Sequence, residues 1–181
     1  MKLVILDRDG VINLDSDQYI KSPEEWKPIA GSLEAIALLN QSGFRVVVCT
    51  NQSGIGRGLF EMDTLNAIHD KMIRALAQLG GHVDAVFFCP HTTTDECDCR
   101  KPKPGMLQQI GERFNVSLTG VPAVGDSLRD LQAAATVGAK PILVMTGKGK
   151  KTLTDGELPR HTTVFPDLAA AAAQIIKSNP A

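Results

Sequence analysis

KLVILDRDG, residues 2–10, decides the fold. Its first five residues form a short apolar run, long enough for one strand and too short for a helix. Val, Ile and Leu on both faces suit a strand covered from both sides, as in a parallel sheet. Similar runs stand at 44–49 (FRVVVC), 83–88 (VDAVFF), 121–124 (VPAV) and 141–145 (PILVM), with a weaker one at 162–165. Helical patterns separate them. Ser32 caps 33–42, which stops at Gly43. Asp63 caps 64–79, where Leu65, Ile68, Met72, Leu76 and Leu79 make one apolar stripe. Pro104 opens 104–114, another helix covers 127–137, and Asp167 caps the Ala-rich 168–177. This alternation predicts an α/β fold: an open, doubly wound, Rossmann-like parallel sheet with right-handed crossovers. The stretches 10–31, 51–62, 89–103 and 146–161 remain loose. The first three follow the carboxyl ends of strands, the edge where such sheets bind ligands.

The 181 residues suit a single domain, and 43% hydrophobic with 22% charged residues is a globular profile. A net charge of −1 gives no global attraction for nucleic acid or acidic membranes. No apolar run approaches the ~20 residues of a membrane span, and the first residues turn charged too soon for a secretory signal. A cytoplasmic monomer is expected. In that reducing compartment, clustered cysteines more often mean metal than disulfide.

Asp7 and Asp9 sit directly after the first strand. Strand alternation puts i and i+2 on one side, so the two carboxylates repel unless a cation lies between them. Mg²⁺ suits such oxygen ligands, and Gly10 permits a sharp turn. VGDSLRD adds Asp126 after another strand and Asp130 one helical turn on. Asp7, Asp9 and Asp126 can share one metal, with Asp130 supporting them from behind. TNQSGIGRG, residues 50–58, offers Thr50, Asn51, Gln52, Ser53 and free N–H groups as an anion cradle. CDCRKPKPG, residues 97–105, supplies Arg100 and Lys101. A carboxylate attacking a phosphate needs such cations to offset anion–anion repulsion. Singly, each motif also reads as a solvated turn, a helix cap or a flexible loop; their shared sheet edge argues for a site. Cys89, His91, Cys97 and Cys99 match tetrahedral zinc with no open position. Such a metal would fix the loop carrying Arg100 and Lys101. Free thiols, or a disulfide after oxidation, are the alternatives. Cys49 belongs to the core, Trp26 packs, His69 lies on a helix surface, and His82 and His161 lie in turns without catalytic partners.

The four segments, in this order, resemble the haloacid dehalogenase superfamily of phosphotransferases, and within it the sugar-bisphosphate and histidinol-phosphate phosphatases that share a zinc loop and CRKP. The resemblance implies that Asp7 is a nucleophile forming an aspartyl-phosphate, and that Asp9 protonates the leaving oxygen and then activates water. It implies Mg²⁺ on Asp7, the Asp9 carbonyl and Asp126, with Thr50 and Lys101 holding the phosphoryl group. Phosphate monoesters need up to ~10²¹-fold acceleration, and acid–base help gives only ~10²–10⁴, so these devices are needed together. The spacing leaves no room for a cap domain. Substrate contacts then fall to Asn13, Asp17, Gln18, Tyr19, Lys21, Asn51, Gln52, Ser53, Arg57, Arg100 and Ser127. The implied substrate is a small phosphorylated sugar, with the 7-phosphate of a heptose 1,7-bisphosphate removed on the way to lipopolysaccharide or surface glycan. Histidinol phosphate is the alternative, partly because the zinc loop is short. A DNA 3′-end phosphatase and a non-enzymatic zinc protein are weaker readings. The first lacks a basic stripe interleaved with aromatics, and the second leaves five intact acid, hydroxyl and lysine positions unexplained.

Overall fold

A computed structural model describes residues 1–180. Six strands, β1 (Lys2–Leu6), β2 (Phe44–Asn51), β3 (Ala85–Cys89), β4 (Pro122–Gly125), β5 (Lys140–Val144) and β6 (Thr163–Phe165), form one sheet in the order β3-β2-β1-β4-β5-β6. Every pairing is parallel. The chain winds outward from β1 through β2 to β3, then crosses back to place β4 on the other side of β1. That reversal opens a crevice at the carboxyl ends of β1 and β4.

The helices are α1 (Ser32–Gln41), α2 (Ser53–Gly56), α3 (Met62–Gln78), α4 (Gly105–Phe114), α5 (Leu128–Thr136), α6 (Gly149–Asp155) and α7 (Leu168–Ser178). Strand alternation sends Val4, Leu6, Val46, Val48, Val124 and Ile142 into a core with Ile36, Leu39, Met72, Leu76 and Ile175 of α1, α3 and α7. Leu3, Ile5, Val47, Cys49 and Ala123 enter the opposite core, against Met106, Leu107 and Ile110 of α4 and Ala133 and Ala134 of α5. The sheet is therefore buried on both faces, as its sequence predicts.

Differences are local. Ser32 is the first helical residue rather than the cap, because its hydroxyl donates to the Val11 carbonyl at 2.7 Å. Asp63 lies inside α3, which starts at Met62, and Pro104 stands at the cap position of α4. Asp167 caps α7 as expected, accepting from the Ala170 N–H. The short helices α2 and α6 fall in stretches read as loose. Four and seven residues are too few to display a 3.6-residue apolar period.

Between β1 and β2 the chain adds only a loop, a 3₁₀ turn (Pro23–Glu25) and α1, with no separate layer above the crevice. Trp26 is buried in the core and anchors this loop, as expected. Lys71 of α3 holds it further by donating to the Pro23 and Trp26 carbonyls. Among the described residues, no helix is long and apolar enough to cross a membrane.

Candidate active site

Asp7 follows β1, and its N–H donates to the Val124 carbonyl of β4 at 2.9 Å, which carries the ladder one residue past the strand. Asp126 stands just after β4. Asp130 lies in the first turn of α5, in a capping box with Ser127. Strand ends 119 residues apart in sequence thus become neighbours, and carboxylate oxygens of Asp7, Asp126 and Asp130 lie within 4.8 Å of one another. Lys101 is buried beside them. Its Nζ donates to Asp7 Oδ1 at 3.1 Å and to the Cys49 carbonyl at 2.6 Å, and pairs with Asp130 Oδ1 at 2.7 Å. All three ammonium protons therefore have acceptors. Thr50, also buried, ends β2 nearby, where its hydroxyl accepts from Gln52 Nε2 at 2.9 Å.

Crowding the acids has a cost. Burial, then repulsion from Asp130, pushes the Asp7 carboxyl up to about 7 despite Lys101. Burial, with Asp130 and Asp7, pushes Asp126 up to about 8. At Asp130 burial works in the same direction, but Lys101 outweighs it and holds the carboxyl below the ordinary range. For Lys101 burial is in turn overcome by Asp130 and Asp7, which raise it above its ordinary value. A divalent cation opposes both causes at Asp7 and Asp126. The backbone closes tightly on Asp126, which only glycine permits. Gly10, at φ +82°, lies so close to Asp126 that a Cβ there would stand 2.0 Å from Oδ2, and one on Gly147 would stand 2.2 Å from the same atom. The Lys148 N–H donates to Asp126 Oδ2 at 2.8 Å, and Thr146 Oγ1 donates to the Gly10 carbonyl at 2.6 Å. Hard oxygen donors in a glycine-walled corner fit Mg²⁺.

Asp9 departs from the expected arrangement. Strand alternation stops at Leu6, and Asp9 makes only an isolated bridge with Asn13. Its carboxylate is held by Arg8, Asn13 and Gln52 and does not join the cluster of Asp7, Asp126 and Asp130. Burial would raise this carboxyl, but Arg8 and the two amides outweigh it and hold it low. The cation that balances Asp9 is thus Arg8.

Cys89, His91, Cys97 and Cys99 converge, with Cys89 Sγ 3.4 Å from His91 Nδ1 and 3.9 Å from Cys97 Sγ, and Cys99 Sγ 3.3 Å from the ring. Tetrahedral zinc places such pairs about 3.5–3.8 Å apart; the Cys89–Cys99 pair is tighter, at 2.8 Å. Burial pushes the Cys89 thiol up to about 12. At Cys97 the Arg100 N–H and neighbouring thiols outweigh burial and bring it down to about 7. The loop then delivers Lys101. A second clamp, absent from the sequence reading, is Asn51: its amide donates to the Lys101 carbonyl and accepts from the Lys101 N–H, both at 3.0 Å.

The acids open into a polar cleft of about 320 Å³. Asp17, Tyr19, Asn51, Gln52, Ser53, Arg57, Arg100 and Ser127, all candidate substrate contacts, line it. Three expected contacts do not. Asn13 is buried and spends its amide on Asp9 and the Leu14 carbonyl. Lys21 donates to the Gln18 carbonyl and pairs with Glu25, and Gln18 and Lys21 border a separate hollow. Asn51 and Ser127 line the cleft with side chains already engaged, on Lys101 and Asp130. The structure adds Asp15, Ser16, Thr93, Arg129 and Lys148. Arg129 was discoverable as the residue before Asp130, and Lys148 from the TGKG turn after a strand. Asp15, Ser16 and Thr93 carry no such signal. His69 is a further correction: it is buried, with Nε2 3.1 Å from Arg8 Nη1, and is not on the surface.

A HAD-hydrolase-like family model matches residues 98–171, and a polynucleotide kinase 3 phosphatase model matches residues 2–128. A Bordetella bronchiseptica protein named D-glycero-beta-D-manno-heptose-1,7-bisphosphate 7-phosphatase is 63% identical over 98% of this chain and 99% of its own. The crystal structure of the D,D-heptose 1,7-bisphosphate phosphatase from B. bronchiseptica, complexed with magnesium and phosphate, superposes with a TM-score of 0.97 at 62% identity, covering 98% of this chain and 99% of that one. The corresponding enzyme from Burkholderia thailandensis gives a TM-score of 0.79 at 55% identity, over 97% and 99%. With its acids, lysine and open parallel sheet, the chain belongs to the D-glycero-β-D-manno-heptose-1,7-bisphosphate 7-phosphatase family, phosphoric monoester hydrolases of the haloacid dehalogenase type.

Proposed function

We propose that this chain removes the 7-phosphate of D-glycero-β-D-manno-heptose 1,7-bisphosphate through a covalent phosphoryl-enzyme on Asp7. The observation that carries the reading is the meeting of Asp7, Asp126, Asp130 and Lys101, from separate segments, at the base of one polar cleft. The names of relatives 54–63% identical over nearly the whole chain support the heptose substrate over histidinol phosphate.

Asp7 attacks phosphorus and the bond to the sugar oxygen breaks. Asp9, which its neighbours hold ionised in the free site, takes up a proton as the substrate binds and gives it to that oxygen. Asp9 then takes a proton from water, which attacks the same phosphorus and releases inorganic phosphate and free Asp7. Lys101 offsets charge on the phosphoryl oxygens, beside Thr50. Asp7, Asp126 and the Asp9 carbonyl would hold Mg²⁺, with Asp130 fixing Lys101 from behind; when bound, the ion neutralises the phosphoryl group and the crowded carboxylates. Arg57, Arg100 and Arg129 around the rim suit the second phosphate.

The chain works as one phosphatase domain in a reducing cytoplasm, in the supply of activated heptose for lipopolysaccharide or surface glycan. Residues 89–99 form a structural zinc loop within it. The polynucleotide phosphatase model keeps one second reading, removal of a DNA 3′-phosphate. Phosphate release with Mg²⁺ from both anomers of heptose 1,7-bisphosphate, histidinol phosphate and a 3′-phosphorylated oligonucleotide decides between them. The β-bisphosphate is expected to give the highest kcat/KM. A preference for the oligonucleotide or for histidinol phosphate overturns the assignment.

A further inference from the structure

Arg8 stands between two reactive acids and has no part in the chemistry above. Its side chain is wholly buried. Nε and Nη2 donate to Asp9 Oδ1 at 3.0 and 2.9 Å, and Asn13 Nδ2 adds a third donor to the same oxygen at 2.9 Å. Oδ1 is thus saturated. Oδ2 accepts one N–H, from Gln52, and is the oxygen left to carry a proton. The remaining end of the guanidinium, Nη1, meets His69 Nε2 of α3 at 3.1 Å. Arginine has donors only, so Nε2 must accept and the ring proton sits on Nδ1. Burial, then Arg8, holds His69 down at about 4, which keeps the ring neutral and able to accept.

We propose that His69 is a positioning residue for Asp9: by accepting the Arg8 Nη1 proton it locks the guanidinium, so that Oδ1 stays engaged and Oδ2 alone handles the transferred proton. Without that acceptor, a buried N–H is orphaned, and the guanidinium turns to relieve it and pulls on Asp9. The inference rests on the reading of Asp9 as general acid and base.

The test compares His69→Phe, which fills the space without an acceptor, with His69→Gln, whose amide oxygen can accept. Each is assayed on an alkyl phosphate, fructose 1,6-bisphosphate, and on p-nitrophenyl phosphate, whose leaving group needs no proton. kcat/KM reports the transfer away from the leaving group. His69→Phe should lose about tenfold on the alkyl ester, a fraction of the ~10²–10⁴ an acid supplies, and little on the aryl ester. Its KM should stay near the native value, and His69→Gln should recover most of the loss. If Phe prevents folding, His69→Leu replaces it. In the native protein, ¹⁵N shifts of the ring should report a bare Nε2. Equal losses on both esters, a Gln variant as poor as Phe, or a protonated Nε2 overturns the inference. Asp9→Asn separates the two layers. If it fails to discriminate between the esters, the acid–base reading of Asp9 falls; if it discriminates and His69→Phe does not, only the role of His69 falls.

Discussion

Gly10→Ala probes the corner that holds Asp126. A Cβ at position 10 would lie 2.0 Å from Asp126 Oδ2, whereas real Cβ contacts stay beyond 3.0 Å, so the carboxylate must retreat by about 1 Å. Gly147 blocks the obvious escape, since its Cα already lies within 3.2 Å of the same Cβ. Separately, φ +82° costs an alanine about 1–2 kcal/mol. In a chain of this size that lowers Tm by roughly 2–8 °C. A misplacement of ~1 Å near reacting groups costs about 10²-fold in rate. The expected outcome is a modest fall in Tm, with kcat/KM down about a hundredfold and half-saturation by Mg²⁺ moved to higher concentration. Gly80→Ala is the control: Gly80 shares the positive φ, at +73°, but a Cβ there meets nothing within 4 Å. It should lose similar Tm and keep its activity. Phosphate release titrated with Mg²⁺, beside thermal melts of both variants, measures all of this. Native Mg²⁺ dependence in Gly10→Ala, or an equal activity loss in Gly80→Ala, would refute the reasoning.

Three further outcomes are expected. Cys97→Ser should reduce bound zinc, measured by elemental analysis, and lower kcat about tenfold by loosening the loop before Lys101; full activity in zinc-free protein would count against that role. Arg57→Ala should remove one charge-assisted contact worth about 1.5–3 kcal/mol, raising KM for the bisphosphate ten- to a hundredfold while leaving heptose 7-phosphate nearly unchanged. His69 titrates at about 4 folded against about 6.5 unfolded, so the unfolded chain binds the extra proton. Stability should therefore fall as pH drops from about 6.5 to 4, by up to about 3 kcal/mol, in urea melts of native protein compared with His69→Gln; parallel curves would exclude it.

The parallel order was readable because each strand is a short apolar run between helical periods, and the site was readable because its residues end strands. Asp7, Thr50 and Asp126 each follow such a run. What escaped was pairwise. Nothing local says that Asn51 spends its amide on Lys101, or that Asn13 faces Asp9 rather than substrate. His69 read as a surface residue because a helical period marks it beside Ile68 without revealing that a buried arginine 61 positions away supplies its partner. Asp9 was misdirected by extending strand geometry three residues beyond Leu6, where the strand stops. Those choices depend on which loops the sheet brings together, and the order of residues in each loop does not contain that.

The central claim is that Asp7 becomes covalently phosphorylated. An acyl phosphate is reduced by borohydride, converting the aspartate to homoserine, and peptide mass spectrometry locates the change. Enzyme quenched during turnover and treated in this way should carry homoserine at position 7, and enzyme without substrate should not. Turnover with position 7 left unmodified, or with the mark on another acid, would contradict the account.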